Sequence, residues 1–375
     1  MEKQYKLCCP CLFGLESVLS GEVKRLGFEN IQVTDGRVEF SSDDVGIARA
    51  NLNLRTAERV LIVLATFRAT SFQQLINETE KIPFENYISK IEAFPVKGWS
   101  LNSQLHSVPD CQSIIKKAAV KRLSAKYGVG WLEETGAPIQ IQFSINKDVV
   151  TIMLDTSGDS LHKRGYRKVS NLAPIRETLA AGILDLARIY PDTKLYDPCC
   201  GSGTFLIEAA YKAKNIAPGL YRRFAAERWS CLPKDIWQKA REEALANVRK
   251  DVEFVAFGSD ISEEALQISE ANAQRAGVLK LIRFEKRDVL DFVAPSEKSI
   301  VVTNPPYGER MLDAAEASEL CRGMGKVFTP SEFTGYYIIS SQENFELEFG
   351  RSADKKRKLY NGMMKCNLFM YFSKK

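Results

Sequence analysis

The chain has 375 residues, of which 45% are hydrophobic, and no apolar run approaches the length of a membrane span. That length exceeds one ordinary core and predicts two or three domains of a globular protein. A net charge of +5 permits a nucleic-acid partner without requiring one. We therefore expect no membrane partner.

Nine cysteines are scattered along the chain. Cys8, Cys9 and Cys11 lie close together, but His106 and His162 are the only histidines and no second ligand pair has metal spacing. No metal site is predicted. Reduced thiols and a brief apolar stretch at the amino terminus favour a cytoplasmic protein without a secretory signal.

The first 45 residues predict a small α+β unit. Leu7–Leu12 is typical of a strand, Leu15–Leu26 of an amphipathic helix that stops at Gly27, and Asp35-Gly36 of a hairpin turn. The α+β pattern continues to about residue 155, and nothing catalytic is visible in either stretch.

A basic helix is predicted within this second stretch, over Cys111–Tyr127. Its apolar residues fall on one buried stripe, at Cys111, Ile114, Ile115, Ala118 and Ala119. The basic side chains lie mostly off that stripe, at Lys116, Lys117, Lys121 and Arg122. A solvated face and an electrostatic footprint for phosphates both fit, and the pattern does not decide between them.

A polar connector follows at residues 156–170. It opens with Ser, Gly and Asp, as expected of a domain junction, and continues with Lys163, Arg164, Tyr166 and Arg167. A solvated linker explains these residues. Interleaved cations and an aromatic ring also suit single-stranded nucleic acid, which presents a charged backbone and a stackable base.

The next unit has the pattern of a nucleotide-binding fold. A helix is expected from Pro174, and Lys194–Tyr196 then predicts a strand that ends at Asp197. Gly201 and Gly203 follow, before a second helix, and would let the backbone approach a ligand closely. A fixed carboxylate at Asp197 counts against pyrophosphate and favours a ligand that carries an ammonium group.

Two more predicted strands end at acidic residues. Asp260 follows an apolar run from Phe254, where it could accept hydrogen bonds from ribose hydroxyls. Asp288 follows Ile282–Lys286, where it could accept one from an adenine amine. A single acidic residue after a strand is a common surface feature. Together with Asp197, however, these residues lie at the ends of successive strands of one βα series, which indicates a shared binding site.

The sharpest signal is the sequence Asn304-Pro305-Pro306-Tyr307, which ends a β-branched run from Ile300 to Val302. The prolines cannot continue a strand, so the chain leaves the sheet edge rigidly. An amide, backbone carbonyls and an aromatic ring at that edge suit a planar base with an exocyclic amine. The acceptors would hold the amine and Tyr307 would stack on the ring.

An insertion at residues 218–250 predicts two helices between the first and second strands of this unit. Its Trp229 and Trp237 are expected in the core rather than as platforms for bases. Near the end of the sequence, Arg357–Tyr360 and Met364–Phe372 predict a hairpin closed by Asn361-Gly362.

These motifs carry a family resemblance. Asp197 to Phe205, Asp260, Asp288 and Asn304 to Tyr307 resemble the class I S-adenosylmethionine-dependent methyltransferases that modify amino groups. The first 155 residues resemble a ferredoxin-like segment and a THUMP RNA-binding domain. His162–Arg167 and Ala173–Thr178 resemble the large-subunit ribosomal RNA guanine-N2 methyltransferase family.

The resemblance implies an α/β Rossmann-like seven-stranded sheet with an edge hairpin, preceded by an α+β ferredoxin-like and THUMP region. The implied boundaries are 1–45 for the ferredoxin-like segment, 46–156 for THUMP, 157–172 for the basic connector and 173–375 for the methyltransferase domain. The resemblance also favours RNA binding as the role of the basic helix and the connector. The RNA contacts that it implies are Lys116, Lys117, Lys121, Arg122, Lys163, Arg164, Tyr166 and Arg167.

S-adenosylmethionine is the implied cofactor, and no metal is needed. Its implied binding residues are Asp197, Pro198, Cys199, Gly201, Ser202, Gly203, Thr204, Asp260, Ile261, Asp288, Val289 and Asn304. The implied catalytic residues are Asn304, Pro305, Pro306 and Tyr307.

The predicted reaction is direct methyl transfer to the N2 amine of a guanine, in 23S ribosomal RNA before transfer RNA. The competing predictions are a DNA adenine-N6 methyltransferase and a non-catalytic RNA-binding assembly factor. Cys199 and Cys200 raise a further alternative, covalent C5-methylation, which has no need for the Asn-Pro-Pro-Tyr edge. The oligomeric state is left undetermined.

Overall fold

The computed structural model describes residues 3–167, 174–306 and 314–373. Its amino-terminal part opens with a ferredoxin-like βαββαβ series. The elements are β1 (Tyr5–Pro10), α1 (Glu16–Arg25), β2 (Glu29–Thr34), β3 (Arg37–Ser42), α2 (Asp44–Asn53) and β4 (Leu61–Arg68). The predicted first strand, helix and hairpin are all found.

The next stretch adds strands to the same sheet. Its elements are α3 (Phe72–Glu80), a 3-10 turn (Phe84–Asn86), β5 (Val96–Leu101), α4 (Val108–Tyr127), β6 (Ile141–Asn146) and β7 (Val149–Asp155). The seven-stranded order is β2-β3-β1-β4-β7-β6-β5, with β5 and β6 parallel and the other neighbours antiparallel. Because β4 pairs with both β1 and β7, the two amino-terminal units share one continuous sheet.

A second seven-stranded sheet occupies the rest of the described chain. Its helices are α5 (Glu177–Leu186), α6 (Thr204–Lys214), α7 (Ile236–Ala246), α8 (Glu263–Arg275), α9 (Ala314–Val327) and α10 (Phe345–Phe349). Short 3-10 turns lie at Ala225–Arg228, Leu279–Leu281 and Val289–Asp291. Its strands are β8 (Lys194–Asp197), β9 (Val255–Asp260), β10 (Ile282–Lys286), β11 (Ser299–Thr303), β12 (Thr334–Ser340), β13 (Lys355–Asn361) and β14 (Met364–Tyr371).

The order of this sheet is β10-β9-β8-β11-β12-β14-β13, with β14 antiparallel to both of its neighbours and the other strands parallel. Its strands β11 and β12 are almost wholly buried, as expected where helices cover both faces of a sheet of parallel strands. The predicted Rossmann-like sheet with an edge hairpin is confirmed, as is the α+β region before it. The four domain boundaries stay a prediction.

Three local predictions differ from the structure. Helix α5 begins at Glu177, not near Pro174, after the extended residue Arg176. The insertion holds α7 and a 3-10 turn instead of two α-helices. The turn ends at Trp229, which is extended and whose indole nitrogen donates to the Pro138 carbonyl at 3.2 Å. In the hairpin, Asn361 pairs with Met364, so the loop is Gly362-Met363, with Gly362 at φ +67° as a tight hairpin requires.

The amino-terminal sheet docks closely on the second one. A Cβ on Gly182 of α5 would lie 2.6 Å from a methyl carbon of Leu15, the residue before α1, so a larger residue there would have to push that side chain aside. Helices α1 and α5 are in contact. On the insertion side, α7 packs against α2, and both predicted tryptophans are core residues. No helix in the described ranges is both long and apolar enough to span a membrane.

Candidate active site

The predicted polar residues meet at one edge of the second sheet. Asp288, Asp260, Asp197 and Asn304 lie at or just past the carboxyl ends of β10, β9, β8 and β11, which are consecutive neighbours. Neighbouring strands are about 4.8 Å apart, so the four groups span roughly 15 Å. That edge is where open α/β sheets bind their ligands.

The glycine turn between β8 and α6 forms the floor of this edge. Gly201 and Gly203 have φ of +53° and +78°, a region that side-chain-bearing residues rarely adopt. The Gly201 amide donates to Asp260 Oδ2 at 2.9 Å, which ties the turn to the neighbouring strand. Helix α6 starts directly after the turn, at Thr204, and its first amides favour an anion such as a carboxylate.

Two residues that the sequence analysis missed hold this turn in place. Ser269 Oγ donates to the Gly201 carbonyl at 2.6 Å, and Asn272 Nδ2 donates to the Ser202 carbonyl at 3.0 Å. Both side chains project from α8 and are fully buried. Polar residues three apart on the buried face of an amphipathic helix were the available signal, since such groups need buried partners.

Asp197 is the most perturbed carboxyl of the edge. It is 1% exposed, and its Oδ1 accepts a hydrogen bond from the Cys199 amide at 3.3 Å. Burial raises its pKa from the ordinary value to about 7, and the charge of Asp260 acts in the same direction. A cationic ligand would therefore find this group half-protonated near neutral pH.

The other two carboxylates already accept backbone amides. Asp260 Oδ1 accepts from Ser262 at 3.0 Å, and Asp288 Oδ1 accepts from Leu290 at 2.9 Å. Each oxygen keeps a lone pair, so both can still accept from ligand hydroxyl or amine groups. Beside them, Ile261 is 68% exposed, so its side chain offers an apolar surface to a ligand ring.

Asn304 has a free acceptor. Its Oδ1 is buried, with no hydrogen-bond partner among the described residues. A buried polar atom without a partner costs about 1–3 kcal/mol, which a bound donor would recover. Pro305 is buried and Pro306 half-buried. Tyr307, the predicted stacking residue, lies outside the described residues.

Comparison with known protein families identifies the class of protein to which this site belongs. A model of the RMKL-like methyltransferase domain matches residues 164–369, more than half of the chain. The chain belongs to the RMKL-like methyltransferase family. An RlmL ferredoxin-like domain matches residues 6–61 of this RMKL-like methyltransferase, and a THUMP domain matches residues 69–155. The family predicted from the sequence motifs is thus confirmed.

Individual relatives agree with this assignment. The chain is 44% identical over 374 residues to the Bacillus subtilis (strain 168) protein named "Putative RNA methyltransferase YpsC", covering 99% of this chain and 97% of that one. It is 34% identical over 371 residues to the ribosomal RNA large subunit methyltransferase K/L of Psychromonas ingrahamii, covering 96% of this chain. The chain spans about half the length of that relative, 49%.

A solved structure matches over the full length. The protein SMU.472, complexed with SAH (S-adenosylhomocysteine), superposes with a TM-score of 0.93 at 38% identity. The match covers 100% of both chains.

The thiols in the glycine turn of this RMKL-like methyltransferase are unsuited to nucleophilic attack. Burial raises the pKa of Cys199 and of Cys200 well above the usual value, and the carboxylates of Asp197 and Asp260 raise both further. A thiol nucleophile needs a lowered pKa. Covalent C5-methylation through these cysteines is therefore disfavoured by the site itself.

The basic helix of this RMKL-like methyltransferase is largely neutralised by its own chain. Lys116 pairs with Glu134 at 2.5 Å, Lys121 with Glu80 at 2.7 Å and Arg122 with Glu85 at 2.5 Å. Lys117 is exposed and makes no ion pair within the described ranges. RNA contact by this helix stays a prediction, and Lys117 is its best-placed residue.

The burial of two connector residues contradicts the RNA contacts that were predicted for them. Arg164 and Tyr166 are 5% and 3% exposed, so neither side chain can reach an RNA strand. Arg164 Nε donates to Glu208 Oε1 at 3.4 Å, and the Tyr166 hydroxyl donates to the same oxygen at 3.0 Å. The prediction of RNA contact is wrong for these two residues, because they form a buried polar junction with α6.

The remaining connector residues have different surroundings. Arg167 Nη2 donates to Thr204 Oγ1 at 2.6 Å and lies 3.5 Å from Glu177, so it braces the start of α6. Lys163 is exposed and pairs with Asp159, four residues earlier, at 3.1 Å. RNA contact by Lys163 and Arg167 stays a prediction. Within the described part of the chain, no group of three or more metal-ligand side chains is placed to hold a metal ion.

Proposed function

We propose that this protein transfers a methyl group from S-adenosylmethionine to the exocyclic N2 amine of a guanine in RNA, with 23S ribosomal RNA as the substrate. The observation that carries the proposal is the buried Oδ1 of Asn304, which has no partner among the residues that the structure describes and lies next to the glycine turn and the carboxylate series. It is an acceptor for an amine, placed beside a cradle for the methyl donor.

The methyl donor fits the residues of this edge. The ligand has an ammonium and a carboxylate at one end, which suit Asp197 and the first amides of α6. Its ribose hydroxyls suit Asp260 and its adenine amine suits Asp288, while exposed Ile261 offers an apolar surface for the ring. The protein SMU.472 was solved with S-adenosylhomocysteine, which is what the donor becomes after it loses its methyl group. Similarity to that protein therefore supports S-adenosylmethionine as the ligand here.

RNA as the acceptor rests on the amino-terminal part of the chain. A THUMP domain, a type that binds RNA, matches residues 69–155, and the two relatives are named a putative RNA methyltransferase and a ribosomal RNA large subunit methyltransferase. The N2 amine of guanine as the methylated group and 23S ribosomal RNA as the substrate are the more specific parts of the proposal. A cytoplasmic location stays a prediction with them.

The chain's own residues act by orientation. S-adenosylmethionine would supply a methyl group activated by its sulfonium, with the neutral thioether S-adenosylhomocysteine as the leaving group. The flipped guanine presents its amine to Asn304 Oδ1 and to the Pro305 carbonyl, which accept the two amine hydrogens and aim the lone pair along the transfer axis. Tyr307 is proposed to stack on the base. After the transfer the methylated amine carries a positive charge and releases one proton to solvent, so no side chain needs to remove a proton before the transfer.

A transfer assay tests the proposal. The protein would be incubated with tritiated S-adenosylmethionine and with ribosomal RNA, transfer RNA or DNA from a deletion strain, and the methylated nucleosides would be identified. We expect N2-methylguanosine in 23S ribosomal RNA. N2-methylguanosine in transfer RNA, N6-methyladenine in DNA, or no transfer at all would each support one of the competing functions instead.

The raised pKa of Asp197 predicts that ligand affinity depends on pH. Because the carboxyl must lose its proton to face the ligand's ammonium group, S-adenosylhomocysteine should bind about tenfold more weakly per pH unit below 7. The contribution of Asp197 to folding stability changes with pH in the opposite direction. The folded chain holds this proton more tightly than the unfolded chain, so the group favours folding at low pH and that contribution is lost as the pH rises through 7.

Calorimetric titrations between pH 5.5 and 8 would measure this dependence. Asp197→Asn is the matched control, since its amide cannot titrate and its weaker affinity should be flat over the same range. A wild-type affinity that is constant from pH 6 to 8 would show that this carboxyl does not face the ammonium group.

A further inference from the structure

A second concave site lies away from the candidate active site. A cavity of about 490 Å³ opens between the end of α5 and the strands β12, β14 and β13. Lys355 begins β13 and Phe372 follows β14, which places both at the edge of the sheet opposite Asn304. With a rise of about 3.3 Å per strand residue, the two edges are roughly 20 Å apart. We call this cavity the rear pocket.

The cationic residues of the rear pocket outnumber the acidic ones. It is lined by Arg188, Lys355 and Arg357, against one carboxylate, that of Asp185. Asp185 is already neutralised, because it pairs with Lys212 and with Arg25, the latter at 3.4 Å. The lining therefore has a net positive charge.

None of the three cations is held by a carboxylate within the described ranges. Arg188 and Lys355 are exposed and make no ion pair there. Arg357 donates to the Gly14 carbonyl and to Ser17 Oγ, both at 2.8 Å, and these neutral acceptors leave its charge uncompensated. This contrasts with the basic helix α4, where Lys116, Lys121 and Arg122 are paired with glutamates.

Aromatic side chains form the floor. Tyr337 and Phe372 meet edge to face, with ring centroids 6.4 Å apart. Phe372 is 44% exposed, so one ring is open to a ligand. Arg188 is close enough to Tyr337 that its charge partly offsets the rise which burial causes in the pKa of that hydroxyl. Charge and an open ring are thus combined within one cavity.

Cations beside an open aromatic ring suit a nucleotide, whose phosphate is anionic and whose base stacks. We propose that the rear pocket holds a nucleotide of the RNA substrate, with a phosphate on Arg188 and Lys355 and a base on Phe372. The inference rests on the proposed RNA substrate and adds a contact some 20 Å from the methylated base. A free mononucleotide has the same chemistry, and the test separates the two sources.

The salt dependence of RNA binding tests the phosphate contact. Arg188→Ala combined with Lys355→Ala should flatten the slope of log affinity against log salt by about 1.4, for two contacts to a single strand. Affinity for a short fluorescent RNA should fall about 25-fold at 0.1 M salt but only about threefold at 0.5 M. Lys280→Ala with Arg283→Ala is the matched control, because it removes one lysine and one arginine charge at the start of the other edge strand, β10, and in the turn before it.

The aromatic contact has a different signature. Phe372→Leu should weaken RNA binding about tenfold while leaving the salt slope unchanged, since stacking releases no counterions. Unaltered S-adenosylhomocysteine affinity and melting temperature would show that the variants are folded. Wild-type affinity in both sets of variants, or an equal loss in the control pair, would overturn the proposal.

Two further arms separate the alternatives. Calorimetry with adenosine monophosphate tests the free nucleotide: saturable binding that the double variant loses, with RNA binding intact, would overturn the RNA contact. Methyl transfer to 23S ribosomal RNA then separates this inference from the proposed function. A raised KM with unchanged kcat in the double variant supports the rear pocket, and an unchanged KM overturns it. Pocket-dependent RNA binding without any transfer would leave the pocket standing and refute the transfer reaction.

Discussion

Replacing Asn304 by alanine is expected to lower the rate of methyl transfer by about 10³-fold, while S-adenosylhomocysteine affinity stays within about threefold of wild type. The side chain is proposed to accept a hydrogen bond that exists only when the acceptor base is in place. Its Oδ1 is buried and free of partners within the described residues, so the acceptor is already positioned. Alanine removes it without disturbing Asp197, Asp260 or the glycine turn.

Tritium transfer at saturating donor, and calorimetry with S-adenosylhomocysteine, would measure the two quantities. Asn304→Asp is the informative companion, because it keeps an oxygen at the same place and should retain more activity than the alanine variant. An alanine variant within tenfold of the wild-type rate would refute the orienting role. If both replacements abolish ligand binding as well, Asn304 belongs to the cofactor cradle instead.

Replacing Glu208 by alanine is expected to destabilise the protein by about 3–5 kcal/mol. Glu208 is 1% exposed and is the carboxylate partner of Arg164, whose side chain is almost completely buried. Its charge also opposes the fall that burial causes in the pKa of Arg55. Without Glu208, buried guanidinium groups lose their compensating charge.

Urea denaturation would measure the change in the free energy of unfolding. Asp235→Ala is the comparison, since it removes an exposed pair with Lys239 on α7 and should change the free energy of unfolding much less than Glu208→Ala does. Replacing both buried partners, Arg164→Met with Glu208→Leu, should recover part of the loss, because the buried charge of Arg164 is removed together with its partner. A Glu208→Ala protein as stable as wild type would show that the junction contributes nothing to folding.

The elements of the candidate site could be predicted because each is local in sequence. A β-branched run that ends in Asn304-Pro305 defines both a strand and its edge, and Gly201 and Gly203 define a turn before a helix. Parallel strands then bring their carboxyl ends together at one edge, so the constellation followed from chain order. The hairpin loop was displaced by one residue because register depends on pairing between β13 and β14, which composition does not show.

The basic residues could not be interpreted in the same way. Arg164 and Tyr166 have the composition of an RNA contact, and their burial depends on Glu208, more than 40 residues later in the chain. Lys121 and Arg122 are likewise paired with glutamates 41 and 37 residues earlier. A charge pattern predicts where cations lie in sequence, whereas a folded chain decides which of them keep a free charge.

The strand β4 has a consequence for how an RNA would be selected. Because it pairs with β1 on one side and β7 on the other, the two amino-terminal units cannot turn independently, and the contact of Leu15 with Gly182 joins them to the second sheet. An RNA segment held by the amino-terminal region would then lie at a set distance from Asn304. On the proposed substrate, the protein would select its target nucleotide by its distance along the folded RNA and not by the nucleotide sequence that flanks it.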